Sequence, residues 1–134
     1  TTLFRSHTEI GAEMLMELPA EQRESELVKV AIEICRWHHE RYDGSGYPDG
    51  LKGEEIPIAA QVVALADVYD ALTSERCYKK AYSHTKALHM IVNGECGVFN
   101  PTLIQGLIDI SNTLASNLTY NQPDSYNVQG AVKI

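Results

Sequence analysis

Residues 58–72 are apolar nearly all the way round a helix, with Gln61, Asp67, Tyr69 and Asp70 the only polar side chains among Ile, Val, Leu and Ala. A helix without a solvent stripe belongs in an interior, so the rest of the chain must wrap it. Four other segments carry helical periodicity and no run alternates with period two, which makes the class all-α, a bundle of about five helices. The first is expected over 5–18, closed by Pro19, and the second over 25–39 or 25–40. The central helix spans 57–73, with Pro57 suited to its first turn. A fourth runs over 83–93, capped by Ser83 and ended by Gly94. The fifth starts at Asn100 and Pro101, as N-cap and N1, and reaches 118. Residues 119–134 are polar, rich in Asn and Gln, and expected to be extended or poorly ordered.

Polar residues fall on the apolar rows of the first three helices. His7 shares a helical row with Leu3, Ile10, Met14 and Leu18. His38 continues the row of Leu27, Ala31 and Ile34, and His39 that of Val28, Ile32 and Cys35. Asp67 lies in a row with Ala60, Ala64 and Ala71, where small neighbours leave space. A buried carboxylate needs a cation or several donors to stay charged, and a metal shared with the histidines meets that need. Each residue alone also has a plainer account. A single core histidine is more often hydrogen-bonded to backbone, Asp67 is equally a cap or ion-pair partner, and Cys35 is best read as a packed thiol. Adjacent His38 and His39 point about 100° apart, so they serve two metals, or one serves a metal and the other a substrate.

Composition narrows the field without naming an activity. The 134 residues are one domain's worth of chain, enough to bury a core without a staple. Eighteen acids against 11 bases give a net charge of −7, which excludes a general nucleic-acid surface. Cys35, Cys77 and Cys96 form no CxxC pair and suggest reduced thiols in a cytoplasmic protein. No apolar stretch approaches the roughly 20 residues of a membrane span. No signal peptide opens the chain, and its first residues read like a cut inside a longer sequence.

The second helix runs into a loop, residues 42–50, that packs Gly44, Gly46, Gly50 and Pro48 into nine positions. The run from His38 and His39 through Glu40 to Gly46, Tyr47 and Pro48 resembles the HD-GYP family of metal-dependent phosphohydrolases. Three further segments match in order: 7–15 beginning His-Thr, 66–76 around Asp67, and Phe99, Asn100 and Pro101. The resemblance covers about residues 5–110.

It implies a helical HD-type phosphodiesterase fold that hydrolyses cyclic di-GMP, with two or three iron, manganese or similar divalent ions between helices. By position, His7, His38, His39 and Asp67 correspond to metal ligands. Tyr47 corresponds to a nucleotide or phosphate contact, and Arg76 and Lys79 to guanine or phosphate contacts. Imidazoles and carboxylates suit iron and manganese. Arg76 and Lys79, with Lys80 beside them, give an acidic chain a local basic patch for a dianionic ligand. Lys80 and Lys86 are otherwise read as solvated. Gly44 and Gly46 either let backbone N–H groups approach a phosphate or close a tight turn.

The departures set further expectations. The family's His-Asp pair and the lysine after it precede the His-Thr segment, and here only six residues stand before His7. Residues 1–118 are therefore expected to be the C-terminal portion of the domain, with an incomplete metal site and little turnover alone. Exposed apolar rows would then favour a homodimer. About five additional residues fall between 17 and 26, Asn100 stands where aspartate is usual, and Cys77 where proline is common. These variants, with residues 94–97, look like those of clostridial-type response regulators, which implies an N-terminal receiver or sensor domain. Two other readings stay open: a non-catalytic nucleotide- or partner-binding module, and hydrolysis of another cyclic dinucleotide.

Overall fold

The computed structural model describes residues 2–77 and 79–120. These form seven α-helices and one 3-10 turn: α1 (Thr2–Met16), α2 (Ala20–Arg23), α3 (Glu26–Trp37), the turn Gly53–Glu55, α4 (Ile58–Thr73), α5 (His84–Val92), α6 (Pro101–Asp109) and α7 (Ser111–Tyr120). No strand occurs among the described residues; Arg76 and Lys79 make one isolated antiparallel bridge. The fold is all-α, as the periodicity predicts, and no described helix is long and apolar enough to cross a membrane.

Helix boundaries follow their capping chemistry. The Ser25 hydroxyl accepts the Val28 N–H, and the Ser83 hydroxyl accepts the Lys86 N–H. Asn100 accepts the Thr102 N–H with Pro101 at the first helical position. Gly94 takes φ +75° just past α5, a left-handed turn open to glycine. Three details differ from the sequence reading. Residues 20–23 form a short helix, α2, in the segment expected to be an insertion. Pro57 caps α4 from outside rather than sitting in its first turn. The fifth helix breaks at Ile110 into α6 and α7, where Ser111 and Asn112, residues that compete for backbone partners, follow directly. The expected tail lies outside the described residues from 121 on, and Thr119 and Tyr120 end α7.

The main core is built from α4, α5 and α6 around Ala64, Leu65, Tyr69, Ala87, Ile91, Phe99 and Leu107. Buried polar groups are matched there. The Gln61 amide donates to the Ile56 carbonyl at 2.7 Å, and its oxygen accepts from Asn100 at 3.0 Å, tying α6 to α4. The Tyr69 hydroxyl lies 2.6 Å from His84 Nδ1, and burial raises its pKa. The central helix is less enclosed than its sequence suggests. Ile58 and Val62 are exposed, and an apolar groove of about 460 Å³ runs between Val62, Ala66 and Tyr69 on α4 and Gly106, Ile110 and Leu114 opposite.

Ile91, 2% exposed, is the largest fully buried apolar side chain in this core. Ile91→Ala should lower unfolding free energy by about 2–5 kcal/mol, whereas the surface change Lys86→Ala should move it by less than about 0.5 kcal/mol. Urea denaturation followed by circular dichroism checks both.

Candidate metal centre

The geometry of the site begins where α1 meets α3. A side chain at Gly11 would lie 3.6 Å from Cys35 Cβ and 3.7 Å from its Sγ, so the helices touch along a small-residue face. Thr8 and Ala12, one helical turn apart on that face, are buried at 0% and 1% exposure. This corrects the row expected to face inward: His7 is exposed, and so are Ile10 and Met14. Small residues win the contact because they let two backbones approach closely, which leaves the bulkier row outside. His7, beside Thr8, is thereby held at the edge of the α1–α3 contact.

There it meets the pair that follows α3. One ligand nitrogen from each of His7, His38 and His39 lies within 4.8 Å of the other two. Ring centroids are 5.5 Å apart for His7 and His38, 5.1 Å for His7 and His39, and 4.2 Å for His38 and His39. His38 Nδ1 lies 2.7 Å from the Ile34 carbonyl and 3.1 Å from that of Cys35. Carbonyls only accept, so Nδ1 donates and Nε2 of the neutral ring keeps its lone pair. The carbonyl end of α3 also favours a cation. An ion bound at about 2.1 Å per nitrogen fits between such donors. Three imidazoles suit a divalent transition metal rather than calcium or magnesium, which prefer oxygen. The residues present therefore fit the group that the sequence implies.

Asp67 stands differently from its expected place. Burial on its row ends with Ala64; Asp67 is exposed, and it is not one of the residues whose ligand atoms converge. The carboxylate is still near enough to act on His39 by charge.

The glycine-rich loop folds back onto the histidines. A Cβ at Gly46 would collide with the Arg41 nitrogen, the His39 carbonyl oxygen and the Glu40 Cα, so only glycine fits. The Tyr47 N–H donates to the His39 carbonyl at 3.3 Å, and its ring stacks on the His39 imidazole with centroids 5.0 Å apart and planes at 16°. The Tyr47–Pro48 peptide is cis. Gly44 takes φ +83°, beyond the ordinary reach of other residues.

Two acidic residues that the sequence reading passed over fasten this loop. Glu40 is buried, and its carboxylate accepts the N–H groups of Asp49, Gly50 and Leu51 at 2.6, 3.1 and 3.0 Å. Asp49 reaches back to α3, accepting from Arg36 Nε at 2.8 Å, Arg36 Nη2 at 3.0 Å and the Trp37 indole at 2.7 Å. The Arg36 bond, followed by that of Trp37, holds the Asp49 carboxyl below the usual range, and the same pairing raises Arg36. A glutamate ending an amphipathic helix reads as solvated surface. The only available signal was its place just before a glycine-rich turn full of unpaired amides.

Arg76 and Lys79 share the turn after α4, with N–H···O bonds of 3.0 Å in both directions. Arg76 is exposed. The Lys79 ammonium donates to the Ala71 carbonyl at 2.9 Å and sits 4.8 Å from the Tyr82 ring centroid, closing the carbonyl end of α4.

The family model described as HD domain matches residues 1–103. A cyclic di-GMP phosphodiesterase of Vibrio cholerae is 42% identical over 109 residues, covering 81% of this chain and 22% of that protein. The cyclic di-GMP phosphodiesterase response regulator RpfG of Xanthomonas campestris is 42% identical over 106 residues, 79% of this chain and 27% of its own. A 3'3'-cGAMP-specific phosphodiesterase of Vibrio cholerae is 36% identical over 107 residues, 80% of this chain and 20% of its own. The chain thus spans about a quarter or less of the length of these relatives.

Burial lowers the His39 pKa to about 4, helped by the nearby His38, His7 and Arg41 and opposed by Asp67. An unfolded imidazole titrates near 6.5, so between about 6.5 and 4 the unfolded chain binds a proton that the folded chain refuses. Stability of the metal-free protein is therefore complete above that window and falls as the pH drops through it. Urea midpoints measured in EDTA should decline from pH 7 to pH 5, and His39→Gln should flatten the decline.

Proposed function

This chain belongs to the HD domain family, in its HD-GYP branch, and on that premise we propose that it supplies part of the site of a metal-dependent phosphodiesterase acting on cyclic di-GMP. One observation carries the reading: three imidazoles converge beside an aromatic ring on a glycine-rich loop, in a chain 42% identical over most of its length to cyclic di-GMP phosphodiesterases. His7, His38 and His39 would hold a divalent ion, iron or manganese, with Asp67 as the carboxylate ligand from α4. The domain as a whole would hold two or three. A bound ion supplies Lewis acidity toward a phosphoryl oxygen.

The remaining roles belong to side chains of this protein. Tyr47, fixed against His39, offers a ring face and a hydroxyl to the nucleotide. Arg76 offers an unshielded guanidinium whose fork matches phosphate. Lys79 has three N–H donors, and the one given to Ala71 leaves two for a phosphate or guanine oxygen. Gly44 and Gly46 shape the loop, and Pro48 ends its turn toward α3. The patch is local: with a net charge of −7 the chain repels long polyanions.

In this reading residues 1–118 are the C-terminal portion of the domain, joined upstream to a receiver or sensor domain in the cytoplasm, where the three free cysteines stay reduced. Exposed Ile10, Met14 and Leu27 on α1 and α3 are the apolar surface for self-association. The 3'3'-cGAMP-specific relative supports a second substrate of the same class.

Protein loaded anaerobically with iron or manganese, and carrying the residues upstream of His7, should convert cyclic di-GMP to a linear product in preference to cyclic GMP-AMP. His39→Ala should reduce turnover by more than about 100-fold, beyond what loss of an outer-sphere partner costs. Chromatography of the nucleotides reads both. Metal-loaded protein that leaves each nucleotide intact would refute the proposal.

A further inference from the structure

We propose that Glu40 is a positioning residue for the histidine cluster: by gathering three loop amides it holds Tyr47 against His39 and so fixes the His39 ring. The proposal deepens the reading above and rests on it for what the site binds.

Sequence adjacency gives Glu40 its leverage. It directly follows His39, so whatever ties residues 49–51 to Glu40 ties the returning loop to the cluster. The carboxylate is 2% exposed, with Oε1 accepting from Asp49 and Gly50 and Oε2 from Leu51. The loop closes on the Glu40 segment from its other limb too: Gly46 lies on the backbone of His39, Glu40 and Arg41, and Tyr47 donates to the His39 carbonyl. The His39 ring is thus held on one face by the stacked Tyr47 ring.

The chemistry asks for a carboxylate. All three partners are donors, and an ionised carboxylate is acceptor-only, with two oxygens. A glutamine would turn one oxygen into an NH2 group facing an N–H. Charge-assisted bonds of this kind are roughly twice as strong as neutral ones. The second fastening, Asp49 to Arg36 and Trp37, is about one-third exposed on both partners and open to screening by salt. It holds the outside of the loop, whereas Glu40 sets the face turned to the histidines.

The test starts with metal-free wild-type protein. Hydrogen exchange should find the Asp49, Gly50 and Leu51 amides protected by about 100-fold or more over the free-peptide rate. In Glu40→Gln the His39 ring protons should lose the ring-current shift imposed by Tyr47, while helical circular dichroism is kept. Its Mn2+ affinity, measured by calorimetry, should fall about 10- to 100-fold. Asp49→Asn should alter the emission of Trp37, the only tryptophan of the chain, and weaken Mn2+ binding less than Glu40→Gln does. Free exchange of the three amides in wild type would overturn the proposal, as would a folded Glu40→Gln variant with an unshifted His39 ring or wild-type Mn2+ affinity. Should Glu40→Gln not fold, the exchange measurement decides. Wild-type protein that takes up no Mn2+ would sink the metal reading, while exchange and the His39 resonance still decide the role of Glu40.

Discussion

The packing of α1 against α3, through Thr8, Gly11 and Ala12, is the condition on which the site depends. Three histidines drawn from sequence positions 7, 38 and 39 meet only if α1 runs close beside the end of α3. A Cβ at position 11 would sit in ordinary van der Waals contact with Cys35, so the seam is close-packed without being strained there. Thr8 and Ala12 complete the same narrow seam, and together these small residues do for the cluster what a hinge pin does for two plates. The bulkier apolar row of α1 is left on the outside as a result, so packing and site geometry come from one choice of contact face.

Much of the fold could be read from the sequence because it rests on local rules. Serine and asparagine caps, proline at a first turn and glycine after a last one mark the starts of α3, α5 and α6 and the end of α5 to within a residue or two. The family motifs brought the histidines, the loop and the basic turn into one frame. What escaped was decided by tertiary contact. Periodicity places Leu3, His7, Ile10 and Met14 on one face but does not say which face meets α3; close approach through glycine settled it in favour of Thr8 and Ala12. It marks Asp67 as a member of a small-residue row, yet burial along that row stops at Ala64 and the carboxylate stands exposed. Glu40 gave no signal beyond its place before a glycine-rich turn, since its partners are backbone amides nine to eleven residues away and such amides have no letter in a sequence.

The charge distribution also gains meaning from the structure. This acidic chain holds three of its basic groups in quite different ways. Arg41 lies over the Phe99 ring, 5.5 Å from its centroid, and donates to the Glu40 carbonyl. Lys79 closes α4, and Arg76 alone of the two turn cations stands in the open. Arg41 and Lys79 are thus committed to the scaffold, and the field they create is fixed before any ligand arrives.

The bond between Asn100 and Gln61 extends this logic beyond the site. Asn100 uses its oxygen to cap α6 and its NH2 to donate to Gln61, whose own NH2 is committed to the Ile56 carbonyl. An aspartate at position 100 would keep the cap but bring an oxygen against the Gln61 oxygen. Residue 61 would then have to present a donor, and the Ile56 carbonyl would need a new one. Positions 61 and 100 are therefore coupled: a change of one from donor to acceptor toward the other calls for the opposite change in its partner.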